Sequence, residues 1–327
     1  MKLLDKESQI LGTVELQANC SVDKIQKLTG FRQHSIRYCL RKLIDQRLIR
    51  YTPYVNLMAL GYTDYNIYFS LTSSATISRK KALSVIAKTK NVTRVSEMGG
   101  EFQYVITILS TSFSELEGIL SNVMSQIGEV VIDKVVSARF SYTLYPRKYL
   151  SSKAYKVPPL KTKVSPQIIK IDALDSKIIS ALAVSNFESH RQIAQRLAIP
   201  LSTMELRIKE LEKRNIIGGY IFEIDTSKLD VQHFKLLIFS KGMSATLRSG
   251  LELFAAESPY AVYFATCFGS WDFELGIEVK DSREVVSIVN ELQDQYAQYI
   301  DHITVLQKFR DLKSFTYPLD MVEHPAT

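Results

Sequence analysis

Gln33-His34-Ser35-Ile36-Arg37-Tyr38-Cys39-Leu40-Arg41-Lys42-Leu43-Ile44-Asp45-Gln46 has a counterpart later in the chain, Leu201-Ser202-Thr203-Met204-Glu205-Leu206-Arg207-Ile208-Lys209-Glu210-Leu211-Glu212-Lys213-Arg214. Both stretches read as amphipathic helices. At about 100° per residue, Ile36, Leu40 and Leu43 gather on one side, a stripe that packs on neighbouring helices. His34, Arg37, Tyr38 and Arg41 gather opposite, with Lys42 flanking. The same projection of the second stretch turns Ser202, Glu205, Leu206 and Lys209 outward.

The correspondence extends well beyond these helices. Phe31 aligned on Ile199 brings Ile25 onto Ile193, Ile36 onto Met204, Leu43 onto Leu211 and Ile49 onto Ile217. Further on, Gly100-Glu101-Phe102 falls against Gly269-Ser270-Trp271. A period of about 170 residues is that of a duplicated domain pair, since solenoid repeats run to about 20–50 residues. Each copy opens with three expected helices, near 6–16, after Ser21, and 33–46 in the first, and near 176–184, after Ser189, and 201–214 in the second. Ser21 and Ser189 are placed to cap the second helices, and Gly30 suits a tight turn before the third. A strand-helix-strand-strand-helix-strand body follows each head. The spans are near 62–71, 78–89, 92–98, 102–109, 112–126 and 130–143, then 234–241, 245–257, 260–267, 271–279, 281–296 and 300–316. The fold class expected is α+β: two winged-type helix-turn-helix heads, each followed by a ferredoxin-like βαββαβ body for ligand sensing and dimerisation. Both helices of such a body lie on one face of the sheet, so the other face needs a partner. The expected boundaries are head 1–52, body 53–150, linker 151–170, head 171–221 and body 222–327. Lysines and prolines, as in Lys156-Val157-Pro158-Pro159, favour an extended, solvated linker.

Charge is distributed unevenly over the 327 residues, whose net charge is +7. Residues 1–150 carry 20 Lys and Arg against 12 Asp and Glu; residues 151–170 add five lysines and no acid. Residues 171–327 carry 16 bases against 22 acids. An anionic partner is therefore expected at the first half and linker. Cys20, Cys39 and Cys267 form no paired spacing and read as reduced thiols of a cytoplasmic protein. No apolar run approaches the roughly 20 residues that span a bilayer, and no membrane partner is expected.

Arginine offers guanine edges or phosphates a bidentate fork, while Tyr and His can donate to backbone oxygens. The candidate contacts to double-stranded DNA are Arg32, Gln33, His34, Arg37, Tyr38, Arg41 and Lys42, with Ser202 and Lys209 in the second head. Arg47 and Arg50 extend the basic run toward flanking phosphates. Glu205 repels phosphate, so the second head is the weaker or differently specific reader.

Taken together, the chain resembles the leucine-responsive/asparagine-synthetase-regulator (Lrp/AsnC) family, nearly throughout and twice. The resemblance rests on Leu4-Asp5 and Leu174-Asp175, on Ile193-Ala194-Gln195-Arg196-Leu197-Ala198-Ile199, and above all on Arg207 through Tyr220. It implies a transcription regulator whose bodies oligomerise and bind a small effector, an amino acid or other metabolite. The border of that effector site maps onto Gly99, Gly100, Glu101 and Phe102, and onto Gly269, Ser270, Trp271 and Asp272. A tandem version implies a pseudo-dimer within one chain, or pairing of the second copies of two chains. Sirohaem decarboxylases share the architecture, with a histidine-tyrosine-arginine cluster at the second body strand and a tryptophan-proline-tyrosine-asparagine stretch. Val95-Ser96-Glu97-Met98 and Tyr263-Phe264-Ala265-Thr266-Cys267 carry neither. His34, His190, His233, His302 and His324 are scattered, without metal-ligand spacing. The expectation is a regulator without cofactor, metal or catalytic residues, and not an enzyme; the alternatives are a sirohaem decarboxylase-like enzyme and a non-DNA-binding protein-interaction partner.

Overall fold

Head one comprises α1 (Asp5–Val14), α2 (Val22–Thr29), α3 (Gln33–Asp45) and β1 (Ile49–Val55). The computed structural model describes residues 2–72, 74, 77–151, 157–163, 167–185, 188–242, 244–315 and 317. His324 and parts of the expected linker, 152–156 and 164–166, lie outside them. Ser21 accepts from the Lys24 amide at the start of α2, satisfying one of the donors a helix start leaves free. Body one follows as β2 (Thr63–Leu71), α4 (Arg79–Lys88), β3 (Val92–Gly99), β4 (Tyr104–Ser110), α5 (Phe113–Ile127) and β5 (Val131–Leu144). A short β6 (Leu160–Lys163) then pairs antiparallel with β5. Four residues of the expected solvated linker are thus an added strand. Head two is α6 (Ala173–Val184), α7 (His190–Arg196), α8 (Leu201–Lys213) and β7 (Ile217–Ile224). Body two is β8 (Gln232–Ser240), α9 (Ala245–Glu257), β9 (Ala261–Gly269), β10 (Phe273–Val279), α10 (Arg283–Tyr296) and β11 (Ile300–Ser314).

The strands of the two bodies form one sheet in the order β2-β4-β3-β11-β8-β10-β9-β5-β6, and β5 also pairs with β2. Eight strands therefore close into a barrel, with β6 attached outside the ring. The joints between bodies are β3 with β11 and β5 with β9. The face expected to seek a partner is the barrel's inner wall.

Alternation along the strands explains the two layers of packing. On β2, Ile67, Phe69 and Leu71 pack outward among Ala82, Ile86, Leu116 and Val123 of α4 and α5. Tyr68 points inward, joining Met98, Phe102, Val105, Leu237, Trp271 and Leu306 at the barrel axis. On β8, Phe234, Leu236 and Ile238 pack outward under α9 and α10, leaving His233 and Lys235 on the inner wall.

The heads are joined by β1 and β7, which pair antiparallel with Thr52 opposite Ile221 and Ile49 opposite Ile224. Tyr51 stacks on Tyr220 with ring centroids 5.5 Å apart. Each strand also packs in the other head's core. Phe222 and Ile224 lie among the core of head one, and Val55 and Leu60 among the core of head two.

Candidate functional site

The buried stripe of α3 is Ile36, Cys39 and Leu43; Cys39 completes the seam that Leu40 only flanks. Arg32, His34, Arg37, Tyr38 and Arg41 are exposed, Tyr38 at 72%. His34, Arg37, Tyr38 and Arg41 share one accessible face of α3, and Arg32 stands at its N-cap. Gln33 and Lys42 are different. Gln33 donates to Asp23 on α2 at 2.5 Å and accepts from Arg37 at 3.2 Å, bracing the helix pair and orienting the arginine. Lys42 is ion-paired with the buried Glu7 at 2.6 Å, tying α3 to α1. Arg50, expected to reach phosphate, instead pairs with Glu223 across the two-stranded sheet and donates to the Ser314 carbonyl at 3.2 Å. Strand alternation turns it away from the helical face.

On α8, Ser202, Glu205, Leu206 and Lys209 are exposed, Leu206 at 69%. Arg207 faces inward and pairs with Asp172 and Asp175 at the start of α6. The second head thus presents a mixed-charge face on the same scaffold.

The two glycine turns pack against strands of the opposite body. A Cβ at Gly100 (φ 114°) would meet the Val305 carbonyl and Leu306 on β11, and one at Gly269 (φ 136°) would meet the backbone of Val136 and Ser137 on β5. Only glycine combines that backbone angle with so close an approach. Phe102 and Trp271 are buried beside Tyr68, Trp271 at 5.0 Å between ring centroids. Asp272 accepts from the amide and hydroxyl of Ser240. Glu101 and Ser270 remain exposed.

A cavity of about 240 Å³ lies between the inner wall of the barrel and the sheet joining the heads. Arg94, Arg139, Arg147, His233, Lys235 and Lys308 line it, with Glu15, Asp64, Glu223 and Asp311 and the tyrosines Tyr54, Tyr142 and Tyr263. Most of these charges are locked together. Arg139 pairs with Glu274 at 2.6 Å and Asp64 at 3.2 Å. Arg147 pairs with Glu15 and, at 2.7 Å, with Glu278. Burial opposes ionisation of Glu274 and Glu278, but the adjacent guanidinium groups outweigh it and hold both carboxyls below the usual range.

Three buried groups on the wall are left with bonding capacity. Lys235 donates to the Tyr68 hydroxyl at 3.2 Å and has no carboxylate in ion-pair range among the described residues. Burial lowers its pKa to about 8. His233 holds Glu278 through Nδ1 at 3.1 Å, and its Nε2 has no partner among the described residues. Burial lowers its pKa to about 4, so the ring is neutral at pH 7. The Tyr263 hydroxyl likewise has no partner. Its ring lies over Gly276, where a Cβ would overlap it. None of these residues figured among the sequence-based candidates. The signal for them was a lysine inside the apolar run Phe234-Lys235-Leu236-Leu237-Ile238, and carboxylates at Glu274 and Glu278 two positions either side of a strand glycine.

Residues 171–217 match a family model for a winged helix-turn-helix DNA-binding domain. An uncharacterized HTH-type transcriptional regulator of Pyrococcus furiosus is 38% identical over 61 residues, which are 19% of this chain and 41% of that protein. A second such regulator, from Pyrococcus abyssi, is 26% identical over 122 residues, 36% of this chain and 80% of that protein. The match thus spans less than half of the first relative. Among solved structures, the siroheme decarboxylase NirDL superposes with a TM-score of 0.59 at 14% identity, covering 94% of this chain and 92% of its own. That finding corrects the expectation that the chain is not an enzyme: the architecture of nearly its whole length is one that an enzyme uses. Absent family motifs at Val95–Met98 and Tyr263–Cys267 were no ground for excluding it, because the barrel assembles its polar wall from strands far apart in sequence. The family-model match falls on head two, although the strongly basic face belongs to head one.

Proposed function

We propose that this chain is a sequence-specific DNA-binding transcription regulator of the Lrp/AsnC type, with two head-plus-body units built into one polypeptide as a pseudo-dimer. The observation that carries this reading is the pairing of β1 with β7, which fixes two helix-turn-helix heads relative to each other while α3 keeps Arg32, His34, Arg37, Tyr38 and Arg41 exposed. Two heads joined in this manner suit half-sites about one helical turn apart. The unlike faces of α3 and α8 suit an asymmetric operator, with Ser202 and Lys209 as the second head's contacts. Lys42 supports α3 rather than touching DNA. A small metabolite bound at the bodies modulates the heads, and the turns Gly99–Phe102 and Gly269–Asp272 are candidates for the border of its site.

Selection of the full chain on randomised duplex DNA tests the reading. An enriched motif, lost in the Arg37→Ala/Arg41→Ala double variant, is expected. Each base-reading arginine contributes about 1–3 kcal/mol. Weak, salt-sensitive binding with no enriched motif counts against it.

The shared architecture, together with a histidine, a lysine and a tyrosine meeting in the cavity, favours a second reading. In it the barrel is a reaction chamber for a carboxylate-bearing tetrapyrrole. Spectral titration with sirohaem would then shift the Soret band at stoichiometric protein. The cavity is smaller than the about 300–1,000 Å³ of drug-sized pockets, so this reading also requires the head strands to part from the barrel.

A further inference from the structure

The inner wall pairs almost every charge it buries. Arg139, Arg147, Arg94 and Lys308 each face a carboxylate, at 2.6, 2.7, 3.9 and 3.0 Å for the contacts with Glu274, Glu278, Glu223 and Asp311. A buried polar group without a partner costs about 1–3 kcal/mol, so such groups are rare and call for a reason. Here His233 Nε2 and the Tyr263 hydroxyl lack one among the described residues, Lys235 has the Tyr68 hydroxyl but no carboxylate, and all three residues are at least nine-tenths buried and line the same cavity. Their chemistry is complementary. The Lys235 ammonium retains donor capacity for a carboxylate. The ionised Glu278 carboxylate can only accept, so the neutral His233 ring carries its proton on Nδ1 and donates that hydrogen bond, which leaves Nε2 as an acceptor in search of a donor. Tyr263 can donate, and the missing side chain at Gly276 lets its ring reach the site.

We propose that the barrel cavity is a binding site for a small monocarboxylate carrying a hydroxyl or amine donor, its carboxylate held by Lys235 and Tyr263 and its donor by His233. The surrounding pairs are close to neutral, which disfavours a polyanion. The volume, about 240 Å³, is several times the about 30 Å³ share of one liquid water and suits a short chain. Tyr54 on β1 and Ile221, Phe222 and Glu223 on β7 form the opposite wall. The ligand thereby touches the two strands that join the heads, and its occupancy alters DNA affinity. That last step rests on the regulator reading; the site itself does not.

The test is thermal unfolding of the full chain with short-chain 2-hydroxy and 2-amino monocarboxylates, the unsubstituted acids of equal length, and the corresponding amines. The bifunctional compounds are expected to raise the melting temperature, and the acids and amines to leave it nearly unchanged. Tyr263→Phe removes a hydroxyl that folding leaves unsatisfied, and Lys235→Met removes a buried ammonium without a carboxylate while the Tyr68 hydroxyl keeps Glu274 as its partner, so both variants remain folded, checked by circular dichroism. Each is expected to weaken binding about tenfold, the scale of one hydrogen bond to a charged group. The site is refuted if no compound stabilises the chain, or if both variants bind as well as the parent. Ligand binding that leaves affinity for an enriched DNA motif unaltered overturns the coupling alone. Failure to find any motif while a ligand still binds overturns the regulator reading and spares the site.

Discussion

Gly30 and Ala198 occupy the same place in the two heads, and both adopt positive φ, 78° and 54°. For an L side chain the left-handed region costs about 1–2 kcal/mol. Ala198→Gly should therefore stabilise the chain by about 1 kcal/mol. Gly30→Ala should cost about as much, since a Cβ at Gly30 meets no heavy atom within 4 Å and only the backbone angle is penalised. Chemical denaturation of the two variants checks both signs, and equal stabilities would sink the argument. Lys235 supplies a pH-dependent counterpart. Burial places its pKa at about 8 against 10.5 for a free lysine. Between those values the unfolded chain holds a proton that the folded chain lacks, so this group makes stability rise with pH through that window. Below pH 8 the full penalty of a buried charge applies. Lys235→Met is thus expected to stabilise the fold by about 3 kcal/mol at pH 7, with the advantage shrinking to nothing by pH 10.5. Parallel urea titrations of parent and variant at the two pH values would expose a gain that fails to shrink.

Arginines on two neighbouring elements separate reading from bracing. Arg41 stands on the exposed face of α3, whereas Arg50 on β1 is held by Glu223 and the Ser314 carbonyl. Salt titration of DNA binding should lose about one unit of slope in Arg41→Ala and none in Arg50→Ala. A slope lost in Arg50→Ala would mean that the strand, too, meets phosphate. This division also marks how far the sequence could be read. The elements themselves were legible: α9 spans Ala245–Glu257, the range its apolar period predicts, because helix periodicity and caps are local properties. The pairing of β1 with β7 joins residues far apart in sequence, and no local pattern encodes it. The exposed face of α3 was legible at Arg37, Tyr38 and Arg41. The ion pair of Lys42 was not legible, because its partner, Glu7, lies on another helix. The cavity was the least legible part. Lys235, Arg139 and Glu274 each interrupt an apolar strand, but only closure of the barrel shows that they face one another.

At the scale of the whole chain, that closure determines which halves can meet. Arg139 on β5 of body one reaches Glu274 on β10 of body two, with both groups buried. Aligning Gly100 on Gly269 makes Val105 the counterpart of Glu274. If two copies of body one paired, Arg139 would face a valine from its partner and be left with Asp64 alone. The head strands add to this preference, because Phe222 and Ile224 complete the core of head one while Val55 and Leu60 complete that of head two. Paired with a second copy of itself, body one leaves Arg139 short of the Glu274 carboxylate, and each head loses the core residues that the other half supplies. Residues 1–158 and 159–327 produced as separate chains should therefore associate one to one, giving in sedimentation the 37.2 kDa of the intact protein. Arg139→Met should weaken that association, since removing one partner of a buried pair costs about 3–5 kcal/mol. Replacing Glu274 by Met as well should restore most of it, because then no charge is left buried alone. Stable homodimers of either piece, unaffected by Arg139→Met, would mean that the barrel joints are interchangeable and that one-chain pairing is not encoded in these residues.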